Sequence, residues 1–176
     1  MTVPEAAGPE FSREIDVRQA GARNMTLETS TAEREALARR FDLVRIDSLT
    51  AELALTREEA TVAAEGRLTA AIVQTCAVSG EDLPVVIDEP LNFRFVPATG
   101  AHTPDEEVEL DADDCDEIEY AGSMIDLGEA VAQSLGLAID PFAAGPDAEK
   151  VREAGLLGEE DAGPFAALKG LKLGKD

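Results

Sequence analysis

The sequence predicts an α+β fold: an antiparallel, twisted β-meander of about four to six strands, two short helices against it, flexible termini and an acidic loop. Three observations carry this expectation. Long stretches between residues 44 and 95 alternate apolar and polar positions, two shorter stretches follow capping residues at helical spacing, and one block of fifteen residues holds ten acids. At 44% hydrophobic residues, the 176-residue chain has the material for a core despite a formal charge of -22. It is expected to fold as one modest domain with tails.

Residues 1–10 contain two prolines and two glutamates before any periodicity, and read as a flexible lead. Phe11, Ile15 and Val17 then share one parity, which suits a short, half-exposed strand. Ser30 with Glu33 has capping-box spacing, and Ala32, Ala36, Leu37 and Phe41 follow at helical intervals, so a helix is predicted over about 31–40.

The middle of the chain has period two. Val44 and Ile46 are apolar on even positions, but Leu49, Leu53 and Leu55 on odd ones, so a bulge is expected around Asp47 and Ser48. In the next stretch Val62, Ala64, Leu68, Ala70, Ile72, Cys76 and Val78 form the core side, while Glu65, Arg67 and Thr69 face water. Leu83, Val85, Ile87, Leu91, Phe93 and Phe95 mark a third strand, which Pro84 and Pro90 restrict to an edge or a bulged position. Turns at 57–61 and 79–82 allow consecutive strands to pair antiparallel.

From Asp105 to Glu119 ten of fifteen residues are acidic and none is basic. Val108, Leu110, Ile118 and Tyr120 are spaced for short strands, so the block reads as an acidic loop with anchored ends. A helix is predicted next, with Asp126 as N-cap, Glu129 in its first turn and Leu127, Ala130, Val131, Ser134, Leu135 and Ala138 as its stripe; Asp140-Pro141 closes it. The expected organisation is thus a lead over 1–10, a folded domain over 11–145 and a partly disordered tail over 146–176.

Composition also limits function. An acidic body repels phosphate backbones, so DNA is not an expected partner and a basic protein is. No apolar run approaches a membrane span and residues 1–5 do not resemble a signal peptide, so a cytoplasmic protein is expected. Cys76 and Cys115 form no Cys-x-x-Cys. Cys76 reads as a buried structural thiol, and Cys115 between Asp114 and Asp116 would be a poor nucleophile. His102 reads as a loop residue. The acids depart from the EF-hand pattern, since Asp116 and Gly122 stand where glycine and glutamate belong. No phosphate-binding or nucleophile-elbow motif is present, so neither enzyme activity nor a metal or other cofactor is expected.

The candidate partner-binding set is Asp111, Asp113, Asp114 and Asp116 with Asp126 and Glu129. A competing reading is direct RNA binding through an N-terminal arginine-rich face that includes Arg13, Arg18, Arg39 and Arg40; seven of the 15 bases precede residue 46. A metal-dependent hydrolase built on the acids is a third, weaker reading.

Three stretches together resemble the YceD-like family, the large ribosomal RNA subunit accumulation proteins, especially their alphaproteobacterial form. They are Phe11-Ser12-Arg13 through Val17; Gly66-Arg67-Leu68 through Val73-Gln74-Thr75-Cys76-Ala77-Val78-Ser79-Gly80, with Phe93-Arg94-Phe95-Val96-Pro97; and Ile125-Asp126-Leu127-Gly128-Glu129 through Leu135, with Asp140-Pro141. The resemblance implies a ribosome-biogenesis role in the synthesis, processing or protection of 23S rRNA, with no established enzymatic activity. The resemblance supplies no mechanism; it is the acidic block from Asp105 to Glu119 that makes a basic ribosomal protein or an rRNA-processing factor the expected partner, with ribosomal RNA contacted at most indirectly. Many relatives carry Cys-x-x-Cys where this chain has Cys76-Ala77-Val78-Ser79, and a lone thiol cannot supply a tetrahedral zinc site.

Overall fold

A computed structural model describes residues 9–98, 116–146 and 148. Contacts divide the chain into two compact units, Met1–Gln74 with Pro84–Asp140, and Thr75–Leu83 with Pro141–Asp176.

The described residues form seven strands and two helices, an α+β arrangement as predicted. The strands are β1 (Glu14–Asp16), β2 (Arg23–Glu28), β3 (Arg45–Glu58), β4 (Thr61–Thr75), β5 (Asp82–Pro97), β6 (Asp116–Tyr120) and β7 (Met124–Asp126); the helices are α1 (Thr31–Arg40) and α2 (Leu127–Ala138). Five strands make the main sheet in the order β2-β3-β4-β5-β6, and β1 pairs antiparallel with β7 in a two-stranded sheet. Leu27, Leu49, Leu53, Leu55, Val62, Leu68, Ile72, Phe93 and Phe95 project from the main sheet into one core shared with Leu37 of α1 and Leu127, Val131 and Leu135 of α2.

Several expectations are met in detail. Ser30 accepts from the Glu33 amide while the Glu33 carboxylate accepts from the Ser30 amide, which fixes the start of α1. The β3–β4 register shifts between Ile46 and Ser48, where the apolar phase changes. In α2 the predicted stripe supplies Leu127, Ala130, Val131 and Leu135 to the core. Gly136, a poor helix former, stands where the Phe41 ring packs, and a β carbon there would come within 2.7 Å of the ring.

Other features depart from the sequence reading. The first strand covers only Glu14–Asp16, and Val17–Gln19 turn into a single 3-10 turn, although Phe11, Ile15 and Val17 are all buried. β2 was not predicted, because its two apolar residues, Met25 and Leu27, are too few to show a period on their own. β6, at the end of the acidic block, pairs with β5 in parallel, from Phe93 opposite Asp116 to Pro97 opposite Tyr120, so the sheet is mostly rather than wholly antiparallel. Residues 98–115 are long enough for the crossover a parallel pair requires. Because β6 covers only Phe93–Pro97, the part of β5 that holds Pro84 and Pro90 keeps one side at the sheet edge, where proline is tolerated. The short helix expected after Pro146 falls outside the described residues except for Ala148.

No helix among the described residues is long and apolar enough to cross a membrane.

Candidate functional site

The predicted acidic site falls into parts with different fates. Asp111, Asp113 and Asp114 lie outside the described residues, as do His102 and Cys115. Asp116 opens β6, and beyond it Glu117 and Glu119 are exposed along the edge strand, with Glu117 3.8 Å from Arg94.

Asp126 and Glu129 are engaged inside the fold. One oxygen of Asp126 accepts from the amides of Arg13, Gly128 and Glu129 at 2.8, 3.0 and 3.2 Å, and the other accepts the Ser12 hydroxyl at 2.6 Å. A single side chain therefore caps α2 and ties the segment before β1 to it. Glu129 holds the Arg40 guanidinium through two hydrogen bonds of 2.8 and 2.9 Å and also accepts from Gln133. Arg40 beside it keeps the Glu129 carboxyl below its ordinary range.

The arginine set is similarly committed. Arg13 forks onto Glu33 at 2.6 and 3.1 Å, Arg18 holds Asp16 at 3.0 Å, and Arg40 bridges Glu10 and Glu129. Of the four nominated arginines only Arg39 stands exposed on α1 without such a fork. With Arg34 and Arg45 it borders a hollow of about 390 Å³ that also contains Glu35 and Asp47, so opposite charges meet there.

One concavity lies on a surface that the sequence reading does not draw. A trough of about 630 Å³ runs across the outer face of the main sheet, lined by β2 from Asn24 to Thr26, β3 from Glu52 to Ala54 and β4 from Glu65 to Arg67. A smaller hollow of about 280 Å³ continues it past Glu52 and Arg67 to Ser48 and Thr69. Strand register sets three rows across this face: Glu28–Thr50–Thr69, Thr26–Glu52–Arg67 and Asn24–Ala54–Glu65. Short side chains alternate with carboxylates, and Arg67 in these rows is paired with Asp88 of β5. The alternation of Glu65, Arg67 and Thr69 had marked a wet face, but without β2 no surface could be drawn from it.

In the other unit Cys76 lies just beyond β4, buried at 4% exposure. Its thiol is pushed down to about 6, chiefly by the Ser79 hydroxyl and then by the backbone amides of Ser79 and Gly145, both 3.4 Å from Sγ.

Residues 64–172 match the family model described as "Large ribosomal RNA subunit accumulation protein YceD", a span of more than half the chain. No curated protein and no solved structure matches.

Proposed function

Because the chain belongs to the YceD family of large ribosomal RNA subunit accumulation proteins, we propose that it holds a cationic protein partner on an acidic surface and performs no bond-making or bond-breaking step. Membership carries the coarser role, in the accumulation of large-subunit ribosomal RNA. The partner on this reading is a basic ribosomal protein or an rRNA-processing factor, shielded or delivered before its cationic surface meets RNA.

One observation carries the proposal. In a chain of net charge -22, six of the 15 bases, Arg13, Arg18, Arg40, Arg45, Arg67 and Arg94, each lie within 4.0 Å of a carboxylate, which lowers the positive potential open to phosphate. The same pairing weakens direct RNA binding through Arg13, Arg18, Arg39 and Arg40, since three of these four are already held. On the outer sheet face the exposed Glu28, Glu52 and Glu65 stand against Arg67, and the 105–119 block holds ten acids and no base. Such a surface steers a cation from a distance and loses its reach as salt shortens the screening length.

The test compares purified large-subunit ribosomal proteins with precursor RNA as ligands for the full chain. Between about 50 and about 300 mM salt, binding of a cationic protein should weaken steeply while RNA shows no mobility shift. Replacing Asp111, Asp113, Asp114 and Asp116 by Asn should slow association and flatten its salt dependence. A salt-sensitive RNA shift by the protein alone would reverse the conclusion in favour of the arginine face.

A further inference from the structure

We propose that the outer edge of β2, with the carboxylates of the adjoining sheet face, takes up an extended segment of a cationic protein as an added strand. This rests on the reading of the chain as a platform for a basic partner, and gives that partner a place to dock.

Two independent features support the edge. First, β2 ends the strand order, and no strand among the described residues lies on its other side. The Thr29 amide donates to the Leu49 carbonyl at 3.3 Å, which continues the β2–β3 ladder. Residues of that parity turn their main-chain groups toward β3, so Asn24, Thr26 and Glu28 turn theirs outward. The Glu28 carbonyl accepts from Arg13 at 2.9 Å, consistent with that direction. Asn24 and Thr26 are exposed, and their outward amides and carbonyls form a short template for strand addition.

Second, the outer face beside this edge is a trough rather than a flat sheet, and acids outnumber bases on it. Glu28, Glu52 and Glu65 are exposed in its rows, while Arg67 is neutralised by Asp88. A strand added next to β2 would place alternate side chains over this face. A lysine or arginine there extends over Thr26 toward Glu52. A second copy of the chain would bring another -22 against the same carboxylates. RNA offers no amide ladder and would meet the same repulsion. A cationic, extended protein segment satisfies both the backbone and the charge.

The experiment titrates the full, isotope-labelled chain with a synthetic peptide of alternating lysine and valine, about ten residues long. Shifts and slowed hydrogen exchange are expected at the amides of Asn24, Thr26 and Glu28. Thr26→Pro removes an outward donor without touching the β3 ladder, and the triple variant Glu28→Gln, Glu52→Gln, Glu65→Gln removes the charge. Each should weaken peptide binding by about tenfold or more. Should the proline variant fail to fold, the glutamine variant decides. Protection confined to another surface, such as residues 105–119, overturns the edge and leaves the platform reading standing. Absence of any peptide binding overturns both. A concentration-dependent dimer that the Thr26→Pro variant abolishes assigns the edge to self-pairing and overturns the choice of occupant.

Discussion

A β carbon on Gly66 of β4 would collide with the main-chain oxygen of Glu52 on the neighbouring strand β3. Gly66 pairs in register with Leu53, at the base of the trough. No side chain fits there unless backbone moves, and backbone inside a sheet yields only with its ladder. Gly66→Ala is therefore expected to cost about 1–3 kcal/mol. Urea denaturation should show a lower midpoint with an unchanged slope; an unchanged midpoint would mean that the strands can part freely.

The Arg13–Glu33 fork predicts a pH window. Arg13, and then Ser30 at the start of α1, hold the Glu33 carboxyl at about 2 against an ordinary 4.5. A carboxyl depressed in the folded state contributes stability that is complete above the unfolded value and disappears as pH falls through the folded one. Part of the fold's stability should thus be lost between about pH 5 and about pH 2. Glu33→Gln should be less stable at neutral pH and should show a smaller loss over that interval. Urea midpoints measured in pH steps for the two proteins would disclose equal slopes if the fork contributes nothing.

Asp126 is expected to behave as a structural residue. Asp126→Ala removes the α2 cap, for which about 1–2 kcal/mol is the usual cost, and also the Ser12 and Arg13 contacts. Thermal unfolding should move to lower temperature, while the folded variant associates with a cationic partner at nearly the wild-type rate. A slowed association in a fully folded variant would return Asp126 to the partner-binding surface.

Cys76 should react as a thiolate at unusually low pH. Iodoacetamide labelling, followed by peptide mass spectrometry that separates Cys76 from Cys115, should titrate with a midpoint near about 6 rather than the ordinary thiol value of about 8.5. Its burial should keep the absolute rate slow. Ser79→Ala should move the midpoint upward, because it removes the largest of the interactions that favour the thiolate. A midpoint unchanged by that substitution would show that the hydroxyl does not reach Sγ.

Legibility differed sharply between elements. The α1 start was readable because the capping box uses residues three positions apart, and the β3 bulge because a phase flip of the apolar pattern is local too. β2 was not readable, since Arg23–Glu28 offers two apolar residues and is strand only through its pairing with β3. The candidate site followed the same division. A density of acids is visible in composition, yet Asp126 and Glu129 look no different in sequence from exposed acids. Their partners Ser12, Arg13 and Arg40 are 89 to 114 positions away.

The linear order of residues determined the family, the helices, the long β3–β5 strands and the dominance of negative charge, because each depends on neighbours a few positions apart or on simple counts. Only the folded chain decided which charges remain available. Folding brought Glu33 to Arg13, Glu129 to Arg40 and Asp88 to Arg67, and left Glu28, Glu52 and Glu65 beside an edge that no strand among the described residues pairs with. Coulomb attraction acts over ångströms in space, so the pairing of charges is set by tertiary proximity and cannot be counted along the chain.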